Sequence, residues 1–171
     1  MKEESAIKEF TDLIKEHQGI IFKVSGTYCN GTVCRDDLFQ DILLQLWKAF
    51  PNYDKQRKFT TWMYRVALNT AISQVRKESS RRKYISGELP YTIVFDESDE
   101  LKEDMEREMI VRKAINRLSK IDRSIIILYM DDYPYDEISE IIGISVSNVG
   151  VKINRIKKQL VQILKELGYG F

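Results

Sequence analysis

The sequence predicts an all-α protein of two small helical domains, an N-terminal helical bundle and a C-terminal helix-turn-helix domain, joined by an acidic linker. Three observations carry this. Apolar residues recur at spacings of three and four along most of the chain, the period of an amphipathic helix. Only three prolines and eight glycines punctuate 171 residues that are otherwise rich in Leu, Ile, Lys and Glu. Charge comes in blocks: Arg76, Lys77, Arg81, Arg82 and Lys83 are basic, residues 96–108 are mostly acidic, and Lys152 to Lys158 turn basic again.

The elements follow in order. Ile7, Phe10, Leu13 and Ile14 mark a helix to about His17, and Gly19 is expected to separate it from a second segment, Ile20–Tyr28. The stretch Cys29–Val33, with Asn30-Gly31, reads as a turn. A helix from about Arg35 to Phe50 buries Phe39, Ile42, Leu43, Leu46, Trp47 and Phe50. Pro51 and the polar run Asn52–Lys58 form a loop, and the next helix runs from about Thr60 to Glu78, with Phe59, Met63, Val66 and Ala67 toward the core. From Ser79 to Glu103 the period fades, with Gly87, Pro90 and one apolar patch, Thr92–Phe95; this reads as the linker between domains 1–78 and 104–171. In the second domain Met109, Ile110, Ala114 and Leu118 make one helix, and Asp122 is the expected cap of Arg123 to Met130. Asp131–Tyr133 is a turn, Tyr135–Ile142 a short helix, Gly143 its stop, and Ser145 the cap of a last helix to about Leu167.

Composition narrows the function. Hydrophobic residues make up 43% and charged residues 31%, a soluble globular balance. No apolar run approaches the ~20 residues of a membrane helix, and Met-Lys-Glu-Glu-Ser opens the chain without an apolar signal segment, so a cytoplasmic protein is expected. With 27 Lys+Arg against 26 Asp+Glu the net charge is +1, which excludes a uniformly basic DNA-binding protein but allows two cationic modules on an anionic connector. Cys29, Cys34 and His17 fall short of a four-ligand zinc set and of a disulfide framework, so two reduced thiols and no metal are expected. No phosphate loop, nucleophile motif or metal set stands out; neither an enzyme nor a cofactor is expected.

Three constellations remain. A short helix, Gly143, one apolar residue and a serine-capped helix have the form of a helix-turn-helix. On the last helix Val146, Val149, Ile153, Ile156, Leu160 and Ile163 form the stripe expected to face the core. Asn148, Val151, Lys152, Arg155 and Gln159 recur on the other side, groups that suit phosphates, base edges and thymine methyls, although a solvated face would also be charged. The helix from Arg35 sets Asp36, Asp37, Gln40, Asp41, Leu44 and Gln45 on one face; it is either a solvated face with acids at the positive helix end or a site for a basic protein partner around an exposed leucine. On the helix from Thr60, Trp62, Arg65, Asn69 and Arg76 share an edge, where Trp62 either stacks on single-stranded nucleic acid or belongs to the core.

These stretches resemble a known family. Asp36-Asp37-Leu38-Phe39-Gln40-Asp41-Ile42-Leu43-Leu44-Gln45-Leu46-Trp47 resembles the polymerase-binding helix of sigma factors. Phe59-Thr60-Thr61-Trp62-Met63-Tyr64-Arg65-Val66-Ala67-Leu68-Asn69-Thr70-Ala71-Ile72 resembles the promoter-melting helix of the extracytoplasmic-function group, and Tyr135 to Ser145 its helix-turn-helix. The resemblance spans nearly the whole chain, with the three motifs in the family's order.

The resemblance implies a sigma factor that binds core RNA polymerase and directs promoter-specific initiation. Asp37, Gln40, Asp41, Leu44 and Trp47 would dock on the clamp of the largest polymerase subunits. The loop from Asn52 to Lys58 would capture a flipped base of the non-template strand, beside Phe59, Thr61, Trp62, Arg65 and Asn69. The helix that starts at Ser145 and Ser147 would enter the major groove, and the acidic linker would thread polymerase channels. The implied partners are core RNA polymerase, promoter DNA and an anti-sigma factor, with the free protein a monomer. Family members often carry an arginine and a serine where this chain has Gly150 and Val151, and an arginine at Thr60. Readout here would shift to Lys152, Arg155, a methyl contact from Val151 and DNA shape. A free-standing helix-turn-helix repressor or activator is the alternative; such proteins dimerise, and nothing in the chain reads as a dimerisation element.

Overall fold

The computed structural model describes residues 2–29, 33–82 and 99–169. Most of the linker (with Lys83, Gly87, Pro90 and Thr92–Phe95) and the centre of the expected turn at 29–33 lie outside them. The chain divides into two units, Met1–Pro90 and Tyr91–Phe171.

The first unit packs α1 (Lys2–Tyr28), α2 (Arg35–Ala49) and α3 (Phe59–Arg82) on one another, with a 3-10 turn, Phe50–Asn52, after α2. The core is one face of each helix: Phe10, Ile21, Val24 and Tyr28 from α1, Leu38, Ile42 and Leu46 from α2, Met63, Tyr64, Ala67, Leu68 and Ala71 from α3. The two alanines leave room for close approach of α3 to its neighbours.

Gly19 does not divide α1. A helical glycine costs about 0.5–1 kcal/mol relative to alanine, and burial of Ile21 and Val24 beyond it, with Phe10 before it, outweighs that cost. Nothing lies within 4 Å of where its Cβ would be, so no neighbour requires the glycine. On α2 the expected stripe is narrower than its periodicity: Leu38, Ile42, Leu46 and the following Phe50 are buried, but Phe39 and Leu43 are only half-buried and Trp47 is exposed. Val66 of α3 is likewise half-buried. A third helix on one side covers one strip of α2, and flanking positions stay open.

The second unit comprises α4 (Asp99–Asn116), α5 (Lys120–Met130), α6 (Tyr135–Ile142) and α7 (Val146–Glu166). Among the described residues α3 reaches Arg82 and α4 begins at Asp99, both inside the expected linker 79–103. Every residue of α5 from Asp122 to Leu128 is buried, as in a helix surrounded by others, and α7 packs against α4, α5 and α6. Ala114, Ile115 and Leu118 supply the α4 side; Met109 of the expected stripe is exposed.

Two local expectations are corrected. Ser119, not Asp122, caps α5: its hydroxyl accepts the Asp122 backbone N–H at 3.1 Å. Both residues are good caps by type, but the Asp122 side chain points to α7 instead. Val146 is 47% exposed, because as the first helical residue of α7 it precedes the stretch that α5 and α6 cover; Leu160 is half-buried, while Val149, Ile153, Ile156 and Ile163 are buried.

The turn between α6 and α7 is built as expected. Gly143 takes φ +80°, the left-handed conformation that favours glycine, and the N–H groups of Gly143 and Ile144 both reach the Ser139 carbonyl, at 2.9 and 3.3 Å. Ser145 then caps α7 by accepting the Asn148 N–H at 3.3 Å. Among the described residues no helix is long and apolar enough to cross a membrane.

Candidate polymerase and nucleic-acid interfaces

The acidic helix. Asp37 and Gln40 are exposed on α2, Leu44 is 47% and Trp47 40% exposed. Asp36 and Asp37 sit in the first turn, where the helix dipole favours them. Leu44 and Trp47 border an open, largely apolar groove of about 440 Å³ lined also by Phe10, Thr11, Ile14, Lys15, Gln40 and Leu43. The Trp47 ring is held edge-on against Phe10, centroids 5.0 Å apart. Asp41 stands apart from this set: it is half-buried and accepts a hydrogen bond from the Gln74 side chain of α3, so it ties α2 to α3. The α1 wall was missed at the level of sequence; the signal was there, since Phe10, Ile14 and Thr11 lie on one side of α1.

The loop and α3. Asn52 and Lys58 are exposed. Between them the loop is ordered by its own polar groups. The Tyr53 hydroxyl donates to the Arg57 carbonyl at 2.6 Å, the Gln56 N–H to the Asp54 carboxylate at 3.0 Å, and Lys55 pairs with Glu9 of α1. Partial burial, with Asp54 beside it, pushes the Tyr53 hydroxyl above its ordinary value and keeps it a neutral donor. Phe59 is buried against His17, Tyr53 and Trp62, and Thr61 is 5% exposed. Both belong to the scaffold. Trp62 is half-buried, packed on Phe50, Tyr53 and Phe59 at 5.0–6.3 Å between centroids. Core and surface, alternatives in the sequence, are therefore combined in one ring. Arg65, Asn69 and Arg76 are exposed along α3.

The helix-turn-helix. Ser147, Asn148, Val151, Arg155 and Gln159 are exposed on α7, Val151 to 66%. Ser145 is exposed, with its hydroxyl engaged as the cap and 3.2 Å from that of Ser147. Gly150 is backed by the Tyr135 ring, 3.5 Å from where a Cβ would stand. Lys152 is different: it is half-buried, and its Nζ lies 2.9 Å from Oδ1 of the buried Asp122, whose Oδ2 is 3.5 Å from Arg155. Burial alone would raise the Asp122 carboxyl pKa; the hydrogen bonds from Lys152 and Ser119 and the charges of Lys152 and Arg155 overcome it and hold it below the ordinary value. One turn on, Lys157 donates to the Tyr129 hydroxyl at 2.7 Å and sits 4.2 Å over that ring.

Cys29 is half-buried and Cys34 exposed, with no disulfide between them, and the described residues hold no group of three or more His, Cys, Asp or Glu able to bind a metal.

Comparison with known proteins assigns these surfaces to a family. Residues 13–81 match sigma-70 region 2, and residues 108–160 match sigma-70 region 4. The extracytoplasmic-function sigma factor SigW of Bacillus subtilis is 28% identical over 171 residues, covering 92% of this chain and 90% of that protein. SigZ of the same organism is 29% identical over 133 residues, 76% of this chain and 72% of that one. Among solved structures, the sigma factor RpoE of Bartonella quintana, in complex with the anti-sigma factor NepR, superposes with a TM-score of 0.75 at 20% identity, covering 92% of this chain and 98% of that one. CnrH, in complex with the cytosolic domain of CnrY, gives 0.66 at 20% identity over 93% and 89%. Region 2 carries the acidic helix with its apolar groove and the aromatic loop, and region 4 the helix-turn-helix: the chain belongs to the sigma-70 family, in its extracytoplasmic-function group, and serves promoter-specific transcription initiation by RNA polymerase.

Proposed function

We propose that the two units divide initiation between them. The α1–α2 groove docks on the clamp of core RNA polymerase, with Leu44 and Trp47 as apolar anchors and Asp37 and Gln40 as the rim that meets a basic helical surface. Asp41 acts behind them by fixing α2 on α3. The loop Asn52–Lys58 and the exposed edge of Trp62, with Arg65, Asn69 and Arg76, hold unpaired bases of the melted strand, over a scaffold of Phe59 and Thr61. Unpairing costs a few kcal/mol per base, offset by stacking and pocket contacts. The α7 face, from Ser145 and Ser147 through Asn148, Val151 and Arg155 to Gln159, enters the major groove of the upstream element. The acidic stretch between residues 79 and 103 passes through polymerase channels. The protein works in the cytoplasm as a non-catalytic subunit, monomeric when free. An anti-sigma factor is its inhibitor; support comes from RpoE, which binds NepR.

The observation that carries this reading is a solvent-exposed leucine and tryptophan on the rim of an apolar groove in an otherwise acidic helix. Large exposed apolar groups clustered this way mark a partner site. Run-off transcription tests it: the protein is added to core polymerase of its host with fragmented genomic DNA, and transcript starts are sequenced. Discrete starts sharing two upstream motifs, lost with Leu44→Asp, are the expected result. Absence of specific starts with active core, together with tight DNA binding by a dimer of the protein alone, would establish the repressor reading instead.

A further inference from the structure

Within the C-terminal unit one acid serves two cations of the DNA-facing helix. Asp122 comes from the first turn of α5, with its side chain 7% exposed. Lys152 and Arg155, three residues apart on α7, reach it from one side, at 2.9 and 3.5 Å. Their exposures differ sharply: the Lys152 side chain is 29% exposed, that of Arg155 65%. The lysine is drawn into the unit and the arginine stays at the surface.

We infer that Asp122 is a positioning residue for promoter reading: it withholds Lys152 from DNA phosphates and orients Arg155 toward the groove. This rests on the reading of α7 as the duplex-reading helix. The physical reason is desolvation. A carboxylate buried this far is costly without a close partner. Were Lys152 to swing out to a phosphate, the carboxylate would keep only the Ser119 hydroxyl and the longer contact to Arg155, so the ammonium stays inside during binding. With its ammonium held on Asp122, Lys152 makes no phosphate contact, and Arg155 is the one cation of this pair that the face offers to DNA. Phosphate attraction, which is blind to sequence, is thereby reduced, and the exposed Asn148, Val151 and Arg155 weigh more in the choice of site. Arg155, held by one carboxylate oxygen, also enters the groove with less freedom to lose.

The test uses holoenzyme reconstituted from the full chain and host core polymerase. Its probes are a promoter duplex found by start mapping and a scrambled duplex of equal length, titrated over a range of salt. Each phosphate neutralised adds roughly 0.9 to the slope of log K against log salt. Asp122→Asn is expected to steepen that slope by about one, to tighten binding to the scrambled duplex several-fold, and to lower the promoter-to-scrambled ratio. Asp122→Glu restores the parent ratio, and Asp122→Asn with Lys152→Met restores the parent slope. A lost bridge that mattered only for stability would lower the melting temperature and leave slope and ratio alone, which overturns the inference. If Asp122→Asn does not fold, Lys152→Met decides: an unchanged slope supports the inference, and a slope lower by about one overturns it. Failure of the underlying reading looks different. There Val151→Asp, at a position of α7 that is 66% exposed, would leave promoter binding untouched whatever happens at Asp122.

Discussion

In the N-terminal unit the groove between α1 and α2 leaves Leu44 and Trp47 in solvent at 47% and 40%. In the C-terminal unit one cation of the outer face of α7, Lys152, is engaged from behind by the buried Asp122, while Arg155 stays 65% exposed. A protein-docking surface gains affinity from apolar area removed from water, so it must be left bare until the partner arrives. A DNA-reading surface has the opposite difficulty. Charge brings affinity for any duplex, so selectivity is served by spending part of that charge inside the protein.

The largest expected effect tests whether the units are independent. Ile153 is fully buried in the C-terminal core, and Ile153→Ala should cost that unit about 2–5 kcal/mol. Hydrogen exchange should show lost protection in α5–α7 with α1–α3 unchanged; loss throughout would mean a single cooperative core. Next, Leu44→Asp should weaken binding to core polymerase by about 2 kcal/mol, roughly 30-fold, in a titration with labelled core, without loss of helix content. An equal loss from Asp36→Asn, a charge at the helix start, would put electrostatics ahead of apolar burial and undo the contrast between the surfaces.

A smaller effect concerns α1. Gly19→Ala should raise stability by about 0.5–1 kcal/mol, read in urea unfolding, because nothing occupies the space its Cβ would take. Destabilisation there would mean that α1 must bend at this point. The smallest is pH-dependent. The folded carboxyl of Asp122 lies below its ordinary value, so its contribution is complete above the unfolded value, about 3.9, and is lost as pH falls through the lower folded one. Melts between pH 5 and pH 2.5 should show a steeper decline for the parent than for Asp122→Asn; parallel curves would remove the carboxylate from the account of α7.

The sequence by itself determined the helical class, the helix-turn-helix with its glycine stop and serine cap, the exposed Leu44 and the acidic face around it. Those features are local: a φ of +80° at Gly143 and a hydroxyl from Ser145 to the N–H three residues on depend on residues within one turn. Tertiary structure decided what periodicity could not. It carried α1 through Gly19, because burial on both sides outweighs a glycine's backbone entropy. It placed Phe59 and Thr61 beneath the surface they were expected to form, since α1 and the aromatic loop close over that end of α3. It added the α1 wall to the α2 groove. It took Asp122 from a cap to a clamp, because its partners, Lys152 and Arg155, stand 30 and 33 residues away in sequence, where no helical period reaches, and only the packing of α7 on α5 brings them within 3.5 Å.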